Sequence, residues 1–397
     1  MVIKPKIRGF ICTNAHPVGC AKHVQNQIDY VKQQGAVANG PKNVLVIGAS
    51  TGYGLATRIT SAFGCGAKTL GLFFEKEGTE RRTASAGWYN TAAFEKAAAA
   101  EGLWAKHING DAFSDELKDK TLDVISKEMG KIDLVVYSLA SPRRTDPTTG
   151  ITHMSTLKPI GEAYTANTLN TSKRIIESAT VEPASEEEIA NTVKVMGGED
   201  WEMWINRLQD AGLLSENCQT VSYTYIGKEL TWPIYGKATI GKAKEDLDRA
   251  AVAINKKIAP VNGKGFVASL NAVVTQASSA IPIMPLYISL MFKVMKEEGT
   301  QEGCIEQLYG LFNKCLYPTG ERILDDAGRL RMDGKELAEH VQAKVAELWP
   351  QVTTENIDEL TDYIGYHNEF LQLFGFGLDG VDYEADFDPQ IGLDGLT

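Results

Sequence analysis

Asn43-Val44-Leu45-Val46-Ile47-Gly48-Ala49-Ser50-Thr51-Gly52-Tyr53-Gly54 is the stretch whose reading decides the fold. The apolar, β-branched run ending at Gly48 reads as a buried parallel strand, and Leu55-Ala56-Thr57-Arg58-Ile59 beyond it takes up helical spacing. A strand, a glycine turn and a helix form the first unit of a dinucleotide-binding sheet. Glycines let the backbone turn tightly and approach a pyrophosphate, whose charge meets the N–H groups of the helix N-terminus. The spacing here is Gly-x-x-x-Gly-x-Gly rather than Gly-x-Gly-x-x-Gly. Such a turn also serves plain strand–helix packing, so its surroundings decide.

Those surroundings repeat the strand–helix unit. Lys68-Thr69-Leu70-Gly71-Leu72-Phe73-Phe74-Glu75 reads as a second strand ending in an acid, 21 residues beyond Gly54. An acid about 20 residues on is where the adenosine ribose hydroxyls are bound. A carboxylate there accepts two hydroxyl donors and repels a 2′-phosphate, which favours NADH. The arginines of the following loop, Arg81 and Arg82, argue the other way, since they suit a 2′-phosphate.

A third strand near Leu103–Ile108 leads to Asp111-Ala112, expected beside the adenine or as a helix N-cap. The fourth, Ile132 to Ala140, stops at Ser141-Pro142 and places Ser138, Leu139 and Ala140 at the carboxyl ends of the strands, where ligands bind. Strands at Thr220–Gly227 and Gly265–Thr275 resume the pattern. The expected fold is α/β: a Rossmann-like, doubly wound parallel sheet with additional helices.

Residues 1–397 are expected to form one enlarged catalytic domain. Within it, 143–219 is an insertion over the active site, with a small β-hairpin at Asp146-Pro147-Thr148-Thr149-Gly150. Ser185 and Glu188 stand in capping-box spacing at the start of a helix, and Trp201 and Trp204 read as core. Near the N-terminus, residues 2–12 alternate loosely like a strand, and a short helix is expected around Val24–Gln34.

Composition bounds the function. With 43% hydrophobic and 23% charged residues, the chain is an ordinary globular enzyme by content. A formal net charge of −11 argues against nucleic acid and anionic membrane as partners. The charged N-terminus argues against a signal peptide, and the apolar stretch Ala280–Phe292 is too short to cross a bilayer. Six cysteines without close pairing suit reduced thiols in the cytoplasm. His16, Cys20 and His23 lie close together, but no second cluster with ligand spacing completes a metal site, so no metal is expected.

The chemistry is sought in Tyr235-Gly236-Lys237-Ala238-Thr239-Ile240-Gly241-Lys242-Ala243-Lys244. A tyrosine followed by a lysine on an active-site helix resembles the reductase arrangement of the short-chain dehydrogenase/reductase superfamily, as does the glycine turn. At about 100° per residue, Tyr235 and Lys244 would fall on opposite faces of a straight helix. Tyr235 must therefore sit in the loop before the helix, and Lys242 is the rival lysine.

Several motifs together closely resemble the FabV-type enoyl-[acyl-carrier-protein] reductase / trans-2-enoyl-CoA reductase family. They are Gly48–Gly54, Tyr137-Ser138-Leu139-Ala140-Ser141-Pro142, Val195-Met196-Gly197-Gly198-Glu199-Asp200-Trp201, the Tyr-x8-Lys pair, and Val274-Thr275-Gln276-Ala277-Ser278-Ser279-Ala280-Ile281-Pro282. The resemblance runs from Lys4 to Tyr383. It implies NADH-dependent reduction of the 2,3 double bond of an enoyl thioester carried on acyl carrier protein or coenzyme A, the last reductive step of fatty acid chain elongation.

By that resemblance, Tyr235 and Lys244 are catalytic and Tyr225 binds substrate. The cofactor falls on Gly48, Ala49, Ser50, Thr51, Gly52, Tyr53, Phe74, Glu75, Asp111, Ala112, Leu139, Ala140, Lys244, Val273, Val274 and Thr275. Met284–Met295 is expected either to line an acyl-chain tunnel or to be ordinary core. Arg143, Arg144, Lys237 and Lys242 are candidates for a basic rim that docks the carrier, and a monomer is expected. The alternatives are a short-chain carbonyl or alcohol dehydrogenase using the same tyrosine and lysine, and a non-catalytic NAD(H) sensor.

Overall fold

The computed structural model describes all 397 residues. Its centre is one sheet of seven strands: β1 Asn43–Ile47, β2 Lys68–Phe73, β3 Ala105–Asn109, β4 Ile132–Tyr137, β5 Leu214–Thr224, β6 Lys264–Ser269 and β7 Leu330–Arg331. Their spatial order is β7-β6-β5-β4-β1-β2-β3, and every pairing is parallel. The chain runs outward from β1 to β3, then returns to β4 on the other side of β1. That reversal is a topological switch point, where a doubly wound sheet opens a crevice at its carboxyl edge.

Past Asn43, β1 is apolar because both of its faces are covered. Val44 and Val46 enter one core with Leu134 and Val136. Leu45 and Ile47 enter a second with Val135 and Tyr137. The helices used below are α1 Pro17–Gln34, α2 Gly52–Ile59, α3 Ala86–Ala100, α4 Asp115–Val124, α5 Glu186–Met196, α6 Glu199–Asp210, α7 Thr239–Lys257, α8 Gln276–Ser279, α9 Met284–Glu297, α10 Cys304–Leu311 and α11 Glu339–Leu348.

Several boundaries differ from expectation for identifiable reasons. Helix α1 begins at Pro17, seven residues before Val24: proline fits the first turn, and Nδ1 of His16 accepts the Gly19 N–H at 3.1 Å as a cap. The His16 ring is buried against Phe376, Tyr383 and Phe387, so it serves the packing of the chain's end. Residues 2–12 make only two short paired strands, Ile7–Arg8 and Ile11–Cys12. Strand β5 starts at Leu214, earlier than the apolar run suggests. A register irregularity between Leu214 and Gln219, with Asn217 at φ 60°, breaks its alternation.

The block 143–219 divides in two. Arg143–Thr145 pairs with Thr152–Met154 as the expected small hairpin. A second hairpin, Tyr164–Asn170 with Ile175–Val181, follows; its Thr- and Asn-rich strands carry no one-sided apolar pattern to announce it. Helix α5 has the capping box of Ser185 and Glu188. Helix α6, in contrast, belongs to the sheet: Trp201, Trp204, Ile205 and Leu208 are fully buried in the core that holds Leu45 and Ile47.

A third core lies beyond the sheet, built around α9 and packed on α11 and the helix Tyr363–Gln372. Every residue from Met284 to Phe292 is buried, so this stretch is the centre of that core. Tyr225, Tyr235, Ala272 and Val274 border it. The acidic tail closes the opposite edge: the N–H of His107 in β3 donates to the Gly395 carbonyl, and Thr397 N–H donates back to His107. Covering the strand in this way removes an edge open to other chains. No helix is long and apolar enough to cross a membrane.

Candidate active site

The carboxyl ends of six strands supply the site. At β1, Gly48 has φ +87°, and a Cβ there would stand 2.2 Å from the Ser138 carbonyl oxygen at the end of β4. A Cβ on Gly54 would stand 1.7 Å from the Gly48 carbonyl oxygen. Glycine is required at both places, by the close approach of strand ends in one case and of helix to turn in the other. The helix that follows, α2, has no side-chain cap from Thr51, so its first N–H groups are left for another acceptor.

At β2, Phe74 is exposed and Glu75 is held from three sides. Ser50 Oγ donates to Glu75 Oε1 at 2.6 Å, and the Glu75 backbone exchanges two hydrogen bonds with the Asn109 side chain. Gly87 completes the setting, because a Cβ there would lie 2.0 Å from Glu75 Oε1. The acid is thus fixed beside the glycine turn.

After β3, Asp111 Oδ1 accepts the Phe113 N–H at 3.0 Å, while Ser114 is the N-cap of α4. Asp111 is therefore not the helix cap. The turn is anchored from beneath by the fully buried Lys118, whose Nζ donates to the Ala112 and Phe113 carbonyls at 3.1 and 2.8 Å. It also donates to Asp200 Oδ1 at 2.8 Å, and Tyr137 donates to Asp200 Oδ2 at 3.2 Å. Burial disfavours both charges, pushing the Lys118 pKa down and the Asp200 pKa up. The Gly197-Gly198-Glu199-Asp200 motif thereby finds its use. Gly198 lets α6 lie against α7, where a Cβ would meet Ala250 at 2.1 Å, and Asp200 holds the lysine.

Leu139 and Ala140 follow β4 at the switch point. Beyond β6, Asn271 to Thr275 forms a loop rather than the longer strand expected. The Tyr53 hydroxyl donates to the Asn271 carbonyl at 2.7 Å, and a Cβ on Gly52 would lie 3.4 Å from Thr275 Cγ2. Thr275 caps α8, and Ser278 Oγ donates to the Val273 carbonyl at 2.7 Å. The structure thus gathers Gly48–Tyr53, Phe74-Glu75, Asp111-Ala112, Leu139-Ala140 and Val273–Thr275 along one edge of the sheet.

Tyr235 lies in a turn before α7, as the helical geometry required. Its ring meets that of Tyr225 edge to face, with centroids 4.8 Å apart and an interplanar angle of 88°. Tyr225 immediately follows β5. Its hydroxyl donates to Glu336 Oε1 at 2.8 Å, whereas the buried Tyr235 makes no side-chain hydrogen bond within the protein. Burial pushes the Tyr235 pKa well above that of an ordinary phenol.

Lys244 Nζ is half-buried, lies 3.5 Å from the Tyr223 carbonyl and has no acidic partner. Burial lowers its pKa to about 8. Lys242, the rival, is exposed and paired with Glu245 at 2.8 Å. Of the candidate rim, Arg143 and Lys237 are exposed, but Arg144 is 1% exposed and ion-paired with Glu199 at 2.7 Å, so it belongs to the interior.

Residues 82–317 match the family described as the trans-2-enoyl-CoA reductase catalytic region. The chain belongs to the trans-2-enoyl-CoA reductase family. Residues 2–80 match that family's NAD(P)H binding domain, and residues 324–387 a family described as the enoyl reductase FAD binding domain. Among similar proteins is an enoyl-[acyl-carrier-protein] reductase [NADH] of Pseudoalteromonas translucida, 68% identical over 98% of each chain. Another, from Saccharophagus degradans with the same name, is 67% identical over 99% of this chain and all of its own. The crystal structure of Treponema denticola trans-2-enoyl-CoA reductase in complex with NAD is 50% identical, covers 98% of each chain and superposes with a TM-score of 0.94.

Within this family setting, two residues of the site had escaped the sequence reading. Glu336 sits in Asp333-Gly334-Lys335-Glu336, which reads as any charged surface turn, and Lys118 reads as a solvated helix position. Only tertiary burial distinguishes them, and no sequence signal marks either.

Proposed function

We propose that this chain uses NADH to reduce the 2,3 double bond of trans-2-enoyl thioesters, the closing reduction of fatty acid chain elongation. One observation carries the reading: of the two tyrosines in contact, only Tyr235 has a hydroxyl without a protein partner, and a lysine without a counter-ion stands on the helix that follows.

The residues present suit a dinucleotide. The glycine turn packs α2 closely against the ends of β1 and β4, α2 offers uncapped N–H groups for a pyrophosphate, and Glu75 is held ready for ribose hydroxyls. Val273, Val274 and Thr275 would face the nicotinamide end, and Lys244 its ribose. NADH, when bound, supplies the hydride.

As the β carbon of the thioester is reduced, negative charge collects on the carbonyl oxygen as an enolate. Tyr235, protonated across neutral pH because burial disfavours its phenolate, donates to that oxygen and supplies the proton. Lys244 lowers the cost of negative charge on the phenol. Tyr225, its own proton committed to Glu336, acts as a substrate-binding wall.

Strands drawn from residue 43 through residue 331 into one sheet support reading residues 1–397 as one catalytic unit. Arg143 and Lys237, exposed near the site in sequence, suit phosphates of either carrier. Free cysteines throughout support a cytoplasmic setting.

Loss of NADH absorbance with crotonyl-CoA tests the reading, with NADPH and a simple ketone as controls. Oxidation of NADH with the thioester alone is expected; oxidation with the ketone alone would establish the carbonyl dehydrogenase instead.

A further inference from the structure

Glu336 is a fully buried carboxyl without a cationic partner. It lies in the turn between β7 and α11, a placement fixed by the pairing of Leu330 and Arg331 with Ala268 and Ser269 of β6. Ser269 Oγ donates to Asp333 Oδ2 at 2.6 Å and fastens the same turn. Three donors converge on the carboxyl. Oε1 accepts from the hydroxyls of Tyr225 at 2.8 Å and Tyr287 at 2.7 Å, and Oε2 accepts the Ala272 N–H at 2.5 Å. Gln342 Nε2 donates to the Tyr287 hydroxyl at 2.9 Å and to the Glu336 carbonyl at 2.8 Å, closing the network.

This arrangement joins two segments that are otherwise held separately, the first by Thr231 at 3.3 Å from the Tyr225 hydroxyl and the second by Tyr53 and Gln307 on Asn271. Tyr225 lies just past the end of β5, ahead of a run of turns, and Ala272 lies in the loop past β6 that carries Val273, Val274 and Thr275. One carboxyl ties both, and through the Tyr225 ring it braces Tyr235. A buried carboxylate left without donors is strongly disfavoured, so the three donors and the acid hold one another in place. Burial raises the Glu336 pKa to about 7 against the pull of those hydrogen bonds.

We propose that Glu336 is a positioning residue for the reduction, acting through Tyr225 to hold the wall against which Tyr235 stands. The proposal rests on the roles given above to Tyr225 and Tyr235. It assigns a function at the active site to the C-terminal segment, which otherwise reads as added packing.

The test is a double-mutant cycle on kcat/KM for crotonyl-CoA, with the NADH dissociation constant measured in parallel. Glu336→Met is expected to lower kcat/KM by about tenfold to a hundredfold, the scale of a lost hydrogen bond to a charged group. NADH affinity should fall by less than kcat/KM, since the Ala272 N–H loses its acceptor but no direct cofactor contact is removed. Glu336→Gln, whose amide oxygen still accepts from both phenols while its NH2 faces the Ala272 N–H, should recover part of the loss. In a Tyr225→Phe background, Glu336→Met should add almost nothing. If Glu336→Met does not fold, Glu336→Asp, a methylene short of the two phenols, takes its place in the cycle. Additive losses, or wild-type kcat/KM in Glu336→Met, would overturn the proposal alone. An unchanged Tyr225→Phe would overturn the role of Tyr225 and the proposal with it.

Discussion

Tyr225 and Tyr235 meet edge to face at 4.8 Å, yet their hydroxyls are in opposite situations. The Tyr225 proton is directed at Glu336, and the Tyr235 hydroxyl has no partner in the protein. Two neighbouring phenols of similar burial are thereby given different chemistry by a third residue a hundred positions away in the sequence. The free one lies eleven residues after the strand end and only nine before Lys244, across the turn that opens α7.

Lys244 sets an alkaline limit. Burial lowers its pKa to about 8, and on the proposed reading its charge serves the cofactor ribose and the Tyr235 phenol. The charged form exists below that pKa, so kcat/KM for NADH should fall as pH rises through about 8, because this parameter reports groups of the free enzyme. Lys244→Arg should move the limb upward, since a guanidinium stays charged. A profile flat from pH 7 to 10 in the unmodified enzyme would remove the requirement for that charge.

Glu75 should select the cofactor. Its carboxyl is fixed by Ser50 and by the backbone bonds to Asn109, so it cannot swing away from an added phosphate. Glu75→Ala is expected to narrow the NADH-over-NADPH ratio of kcat/KM by at least about tenfold, equivalent to roughly 1.4 kcal/mol. Arg81 and Arg82, exposed in the following loop, would then favour the phosphate. An unchanged ratio would place the selection elsewhere.

The buried pair of Lys118 and Asp200 should matter to stability and to cofactor affinity together. Removing one partner of a buried ion pair costs about 3–5 kcal/mol, because the other charge is left unpaired. Lys118→Met should therefore lower the urea midpoint sharply and weaken NADH binding as the Ala112 turn loosens. Lys118→Met combined with Asp200→Leu should recover part of the stability without restoring the turn. Urea titration and NADH fluorescence of both variants check this, and loss of stability with NADH affinity intact would detach the pair from the site.

Much of this was legible in the sequence because parallel strands buried on both faces are written as unbroken apolar runs. Val44–Ile47 and Leu134–Tyr137 are of that kind, and both strands stand at the switch point. Glycines that cannot carry a Cβ marked the turn, and helical geometry, applied to the tyrosine–lysine pair that the superfamily resemblance supplied, placed Tyr235 outside α7. The two hairpin strands at 164–181 were not legible, since neither has a consistently buried face. The two-residue strand at 330–331 was too short to carry a period, yet its pairing with β6 positions the Glu336 turn. Arg144 was misplaced and Lys118 missed for a related reason: sequence assigns long cations to solvent, whereas here each has oxygen acceptors that only the assembled fold provides.

The central claim is that the free hydroxyl of Tyr235 serves the developing enolate. Steady-state turnover of crotonyl-CoA with NADH in Tyr235→Phe, alongside the NADH dissociation constant, tests it most directly. Turnover should fall on the order of 10²–10⁴-fold, the scale of a lost acid–base group, with NADH binding nearly unchanged. Wild-type turnover in that variant would contradict the account and make Tyr225, released from Glu336, the next candidate for the proton donor.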